Sequence, residues 1–179
     1  MGALRDRLTW DEGRGALADG PRRYLMMRPD VLMGAVAALD GSARVAWLQA
    51  WADSTARHGG ASLKAYAEAV AFDADALMAA TVQAAADLGW GAWQLARHGH
   101  ELHLTVTGSP FVDGWHAACP EAASIAVCAP VRGMLQALAG YVLPGRPLAV
   151  VELDCAATHA RPGPAACRFI ARAADAGAA

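Results

Sequence analysis

Apolar and polar positions change their period once along this chain, and the change separates a helical first part from a mixed second part. Pro29 suits the first position of a helix, and Asp30 to Leu39 sets Val31, Leu32, Ala35, Val36 and Leu39 on one side before an Asp40-Gly41 turn. Ser42 is expected to cap a second helix that runs to about His58 and stops at Gly59 and Gly60. Its stripe of Val45, Trp47, Leu48, Trp51 and Thr55 is close to the i, i+3, i+4 spacing of a buried face. A third helical stretch begins near Ser62. Asp73 reads as the N-cap of a fourth, which carries Leu77, Met78, Val82 and Leu88 to a stop at Gly89. Ahead of all of these, Gly13 to Gly20 reads as a loop and Pro21 to Arg28 as an extended segment.

From Trp90 the period becomes two. Leu102, Leu104 and Val106 alternate with Glu101, His103, Thr105 and Thr107, as in a strand with one buried face, and Trp90 to Arg97 is its hairpin partner, turning at His98, Gly99 and His100. Thr107 to Gly114 is expected as a loop, followed by a short helix from Trp115 to Ala123. Pro130 opens a clearer helix, with Met134, Leu135, Leu138 and Val142 on one face and Pro144-Gly145 at its end. Leu148 to Leu153 and Cys167 to Arg172 are the last two strands. Helices, a hairpin, a helix and a hairpin-like pair predict an α+β fold: one domain over 1–179, an antiparallel sheet of about four strands packed with helices. The alanine-rich end, Ala171 to Ala179, is expected to fray, with 173–179 as a tail.

A chain of 179 residues holds one sizeable core and would be cramped as two. Hydrophobic residues make up 55% and charged ones 18%, yet no stretch approaches the ~18 uninterrupted apolar residues of a membrane span. Met1 to Leu8 carries Arg5, Asp6 and Arg7 with no apolar run behind them, so no secretory signal is read and the cytoplasm is the expected location. The net charge is −2, and the basic residues are scattered among acids, which argues against a nucleic-acid surface. Four cysteines without an export signal point to reduced thiols or metal ligands.

Three of those cysteines fall where the chain reverses. Cys128 stands just before a helix, Glu152 and Cys155 end one strand, and Cys167 begins the next. Thiolate sulfur is a soft donor for Zn²⁺ and a carboxylate can complete a tetrahedron, so the set makes a chemically reasonable site. With all four positions taken by protein it would be structural. The alternative is that the cysteines are small buried hydrophobes. His98, His100 and His103 offer imidazoles at the hairpin tip, where strand parity turns His103 away from the other two; solvated side chains are the simpler account. His116 and Cys119 form a His-x-x-Cys pair that reads more simply as a pocket edge or a surface pair than as metal ligands.

The segment with Val127-Cys128, Gly133, Leu138, Ala139-Gly140, Gly145, Val150-Val151-Glu152, Cys155, Gly163 and Cys167-Arg168-Phe169 resembles the C-terminal signature of the 4-vinyl reductase domain family. That family includes hydrocarbon-binding proteins and the sensor domains of phenol-responsive activators. The signature region spans 108–172, and Arg22 to Leu39 fits more loosely. The resemblance implies the α+β fold shared with haem-based nitric oxide sensors and a Golgi trafficking subunit, a hydrophobic pocket between sheet and helices, and a homodimer. It also implies structural zinc on Cys128, Glu152, Cys155 and Cys167. The connection from Cys155 to Gly163 is longer than is usual in the family, which makes His159 a reserve ligand.

Met26, Met27, Met33, Met78 and Met134, with Trp47, Trp51, Trp93 and Trp115, are candidates to line a cavity for a flat apolar molecule, since Met adapts to irregular shapes and Trp offers a face and one donor. Trp93, Trp115 and Met134 are the expected pocket wall. No enzyme motif stands out: Gly13-x-Gly15 lacks the third glycine of a dinucleotide loop, and neither a Walker loop nor a Gly-x-Ser-x-Gly elbow occurs. The expected function is a stand-alone sensor or carrier for an apolar or aromatic ligand or a tetrapyrrole, working with a partner enzyme or regulator. The alternative is an enzyme or accessory subunit that reduces a vinyl group on a chlorophyll precursor.

Overall fold

The computed structural model describes residues 3–119, 125–143, 145, 148–159 and 166–174. A one-turn helix α1 (Leu4–Arg7) leads into three short strands, β1 (Thr9–Asp11), β2 (Ala16–Asp19) and β3 (Arg22–Tyr24), which pair in that order as a small antiparallel sheet. Strands of three or four residues are too short to display a period, so the loop expected over Gly13 to Gly20 holds one of them. Gly15 and Gly20, at φ 56° and 57°, make the turns that only glycine adopts freely.

Helices α2 (Pro29–Ala37), α3 (Gly41–Ala69) and α4 (Ala74–Asp87) follow. Asp40 and not Ser42 caps α3: its carboxylate accepts from the Ala43 amide at 2.8 Å and from the Ser42 hydroxyl at 2.9 Å. The break expected at Gly59 and Gly60 does not occur, because α3 is one helix of 29 residues. Each glycine inside a helix costs about 1 kcal/mol relative to alanine, and here close packing offsets that cost. A Cβ on Gly59 would stand 2.7 Å from Met134 Cε. Met134 lies on α6 (Ala129–Val142), and in return Gly133 of α6 lies so near α3 that a Cβ there would meet the Ala52 carbonyl oxygen at 2.1 Å. The glycines let two helix backbones approach.

Strands β4 (Ala92–His98) and β5 (Glu101–Thr107) form the predicted hairpin, and β6 (Leu148–Asp154) and β7 (Ala166–Ala173) complete a four-stranded sheet of order β4-β5-β7-β6, antiparallel throughout. This is the α+β fold that the period change predicts. Its inner face carries Trp93, Leu102, Leu104, Val106, Cys167 and Phe169, all buried. Helix α4 packs on β4, and α6 on β6 and β7. Between hairpin and α6 the chain forms α5 (Pro110–Ala118), five residues earlier than expected and inside the supposed loop. Ser109-Pro110 is the start signal that goes unread, since proline fits the first helical position. The expected end of this helix at Ala123 lies outside the described residues, as do Pro144 and residues 175–179. Strand β7 reaches Ala173 with Ala171 fully buried, so fraying from Ala171 is corrected: pairing with β5 and β6 holds it. No helix among the described residues is long and apolar enough to cross a membrane.

Two glycines seven residues apart on α6 test this packing. Gly133→Ala is expected to destabilise the protein by about 3 kcal/mol, since a backbone carbonyl cannot move aside. Gly140→Ala, with nothing within 4 Å of the new carbon, should stabilise it by about 0.5 kcal/mol. Denaturant unfolding of both variants reads the difference.

Candidate functional site

In a regular strand, side chains three residues apart point to opposite faces, so Glu152 and Cys155 should not meet. They meet because the pairing of β6 with β7 slips: Glu152 is opposite Phe169 and Asp154 is opposite Arg168, leaving Leu153 as an extra residue in a bulge. Beyond the bulge Asp154 turns outward, where it accepts from Arg168 Nη2 at 3.1 Å and lies 2.6 Å from His159 Nε2. Cys155 returns to the inner side and leads into one 3-10 turn, Ala156–Thr158. Cys128 occupies the N-cap position of α6. Cys167 lies on the inner face of β7, paired with Val106 of β5.

The ligand atoms of Cys128, Glu152, Cys155 and Cys167 all lie within 4.8 Å of one another. Cys128 Sγ is 3.5 Å from Cys167 Sγ, and Cys155 Sγ is 3.9 Å from it. These separations are far beyond a disulfide bond of about 2.05 Å. Sulfurs placed tetrahedrally at about 2.3 Å from a zinc ion stand about 3.8 Å apart, which is the spacing found. The four residues singled out in the sequence therefore form one cluster able to hold a metal ion. His159 is not among them; Asp154 engages it on the other side of the bulge.

The electrostatics fit a cation. Glu152 Oε1 is buried with no hydrogen-bond partner among the described residues, and burial pushes its carboxyl up to about 9. Hydrogen bonds from Cys128 and Cys155 hold the Cys167 thiol down to about 4, helped by the Ala156 amide, which donates to its sulfur at 3.3 Å. Cys128, hydrogen-bonded to its neighbouring sulfurs and buried, is pushed well above the ordinary thiol range. The protein's own donors thus favour one thiolate. Ionising the rest requires added positive charge.

The remaining cysteine and histidines do not join this cluster. Cys119 is a free, half-buried thiol. His98 and His103 do approach, with ring centroids 4.9 Å apart, which corrects the expectation that His103 points away. The turn between them resets the parity, since His98 pairs with Glu101 and His103 lies two residues further along the same face.

A cavity of about 390 Å³ opens between α3, α4, the start of β4 and the β3 strand. Trp93 and Met134 line it, together with Trp51, Trp90 and Leu63. Trp115 does not: it is 1% exposed in the core, with the Arg44 guanidinium over its ring at 5.4 Å. On α3, His58, Ser62 and Tyr66 also reach the cavity. Sequence reading misses this row because its spacing of four crosses the supposed break at Gly59 and Gly60. Read as one helix, the same spacing puts all three on one face.

No family model and no curated protein matches this chain. Among solved structures it is similar to the crystal structure of the phenol-responsive sensory domain of the transcription activator PoxR with phenol, at a TM-score of 0.73 and 15% identity, over 95% of this chain and 86% of that one. At that identity the likeness shows a common fold.

A raised carboxyl pKa has a signed consequence for the metal-free chain. Glu152 binds its proton more tightly folded than unfolded, so its contribution to stability is complete below about 4.5 and is lost as pH rises towards about 9. Cys167, shifted the opposite way, contributes stability that grows over the same interval and masks the loss. Chelated Cys167→Ser protein should therefore lose stability steadily from pH 5 to pH 9 in denaturant titrations, whereas the chelated parent stays nearly level.

Proposed function

We propose that this protein is a small-molecule sensor or carrier that holds an apolar or aromatic ligand in the cavity beside Trp93 and Met134 and is braced by a structural zinc ion. The observation that carries the reading is the cavity itself. Its walls are aromatic and apolar, a few polar side chains converge on it, and its volume of about 390 Å³ falls in the range of small-molecule sites. The fold is one that a phenol-responsive sensory domain also uses, and the 4-vinyl reductase signature points the same way. Calorimetric titration with phenol and related single-ring compounds should give saturable binding at one site per chain, with the ligand recovered unchanged. Ser62→Trp, which fills the cavity from α3, should abolish binding while the fold persists. A protein that binds none of these compounds would remove the reading.

Zinc is the ion that best suits three thiolates and one carboxylate at tetrahedral spacing. Cys128, Glu152, Cys155 and Cys167 would hold it, and zinc would supply the charge that lets all four ionise. With four protein ligands no position is left for water or substrate, so the site ties the start of α6 to β6 and β7 and performs no reaction. Elemental analysis of the purified protein should find one zinc per chain. Cys155→Ser should lose the metal and melt roughly 10 °C lower, as a loss of about 3 kcal/mol does in a domain of this size. A metal-free protein of full stability would sink the zinc assignment.

A further inference from the structure

The polar groups around the cavity are unbalanced in sign. Arg22 and Arg23 of β3 both line it, and no aspartate or glutamate does among the described residues. The acid that would neutralise them is Asp19, which pairs with Arg22 across the β2–β3 ladder. Asp19 is already committed elsewhere. Arg7 grips it with two bonds, Nε to Oδ1 at 3.2 Å and Nη2 to Oδ2 at 3.1 Å, and the same guanidinium also donates to the Tyr66 hydroxyl at 3.4 Å. Arg7 thus occupies the carboxylate that lies across the sheet from Arg22, and among the described residues the acid-base lining of this end of the cavity is basic.

Arg23 is exposed and donates to the Gly15 carbonyl at 3.4 Å. Arg22 differs from it: its side chain is half-buried, and its guanidinium has no hydrogen-bond or ion-pair partner among the described residues. The planar fork of a guanidinium matches a carboxylate with two parallel bonds. The far wall, Trp51, Trp93, Leu63 and Met134, supplies faces for a ring. His58 and Ser62, on the α3 side, likewise have no side-chain partner among the described residues and are free to bond a ring substituent.

We propose that the ligand is an aromatic carboxylate, its ring against Trp51 and Trp93 and its carboxylate on Arg22. This rests on the cavity being the ligand site, and it narrows the ligand from any apolar or aromatic molecule to an anionic one.

The test compares benzoate with benzamide, which has the same shape without the charge, and uses phenol as a reference for the cavity. Calorimetry at neutral pH should show benzoate binding at least tenfold more tightly than benzamide. That preference should shrink as salt is raised, because the contact is a partly exposed charge pair. Arg22→Gln should erase the preference and leave benzamide and phenol unchanged, and Arg22→Lys should restore part of it. The melting temperatures of both variants report whether β3 stays paired. Benzamide or phenol binding as tightly as benzoate overturns the carboxylate assignment and leaves the cavity reading intact. Benzoate affinity that survives Arg22→Gln in a folded protein also overturns it. If none of the three probes binds, the cavity reading falls as well.

Discussion

The contact between α3 and α6 is the constraint on which the rest of the structure depends. At Gly133 the α6 backbone lies against the Ala52 carbonyl with no room for a side-chain carbon, and at Gly59 the α3 backbone accepts the tip of Met134. At Gly133 only a residue without a Cβ permits this approach. Its consequences reach both sites. Seating α6 on α3 fixes where the first turn of α6 falls, and therefore where Cys128 meets β6 and β7. The same seating turns Met134 into the cavity that His58, Ser62 and Tyr66 border from α3. One helix pair thus positions the cluster of three cysteines and Glu152 at one end of α6 and a cavity wall further along it.

The two sites pose opposite charge problems. At the cluster, three thiols and a carboxyl are packed with an oxygen that has no partner among the described residues, and the protein's own donors favour only one negative charge. At the cavity, Arg7 holds Asp19, and Arg22 has no hydrogen-bond or ion-pair partner among the described residues. Desolvation makes an uncompensated charge expensive in either place. The same physics underlies both proposals, a metal ion at one site and an anionic ligand at the other. The bulge at Leu153 is what separates the cluster from its surface neighbours, since it sends Asp154 outward to Arg168 and His159 while Cys155 turns in.

Much of this was legible in the chain. The alternation of Leu102, Leu104 and Val106 identified the central strand and its buried face, and Pro130 marked the start of α6 to within a residue. The cysteine positions suggested the cluster, because each lay where the chain reverses. Two of the misses share a cause: a local signal gave way to a contact distant in sequence. Gly59 and Gly60 read as a stop, yet a neighbouring helix made them useful inside one. Trp115 read as a pocket wall, yet Arg44 stacks on it in the core.

The sequence by itself determined the types of most of the longer elements, because a period of two or of 3.6 is a local property that burial enforces residue by residue. It also determined which side chains could ligate a metal, since thiol and carboxylate chemistry belongs to the residue. Tertiary structure alone decided that Glu152 and Cys155 face the same way, because a bulge depends on how the partner strand registers. It alone decided that Arg22 has no carboxylate partner among the described residues, because Asp19 is taken by an arginine from a different element.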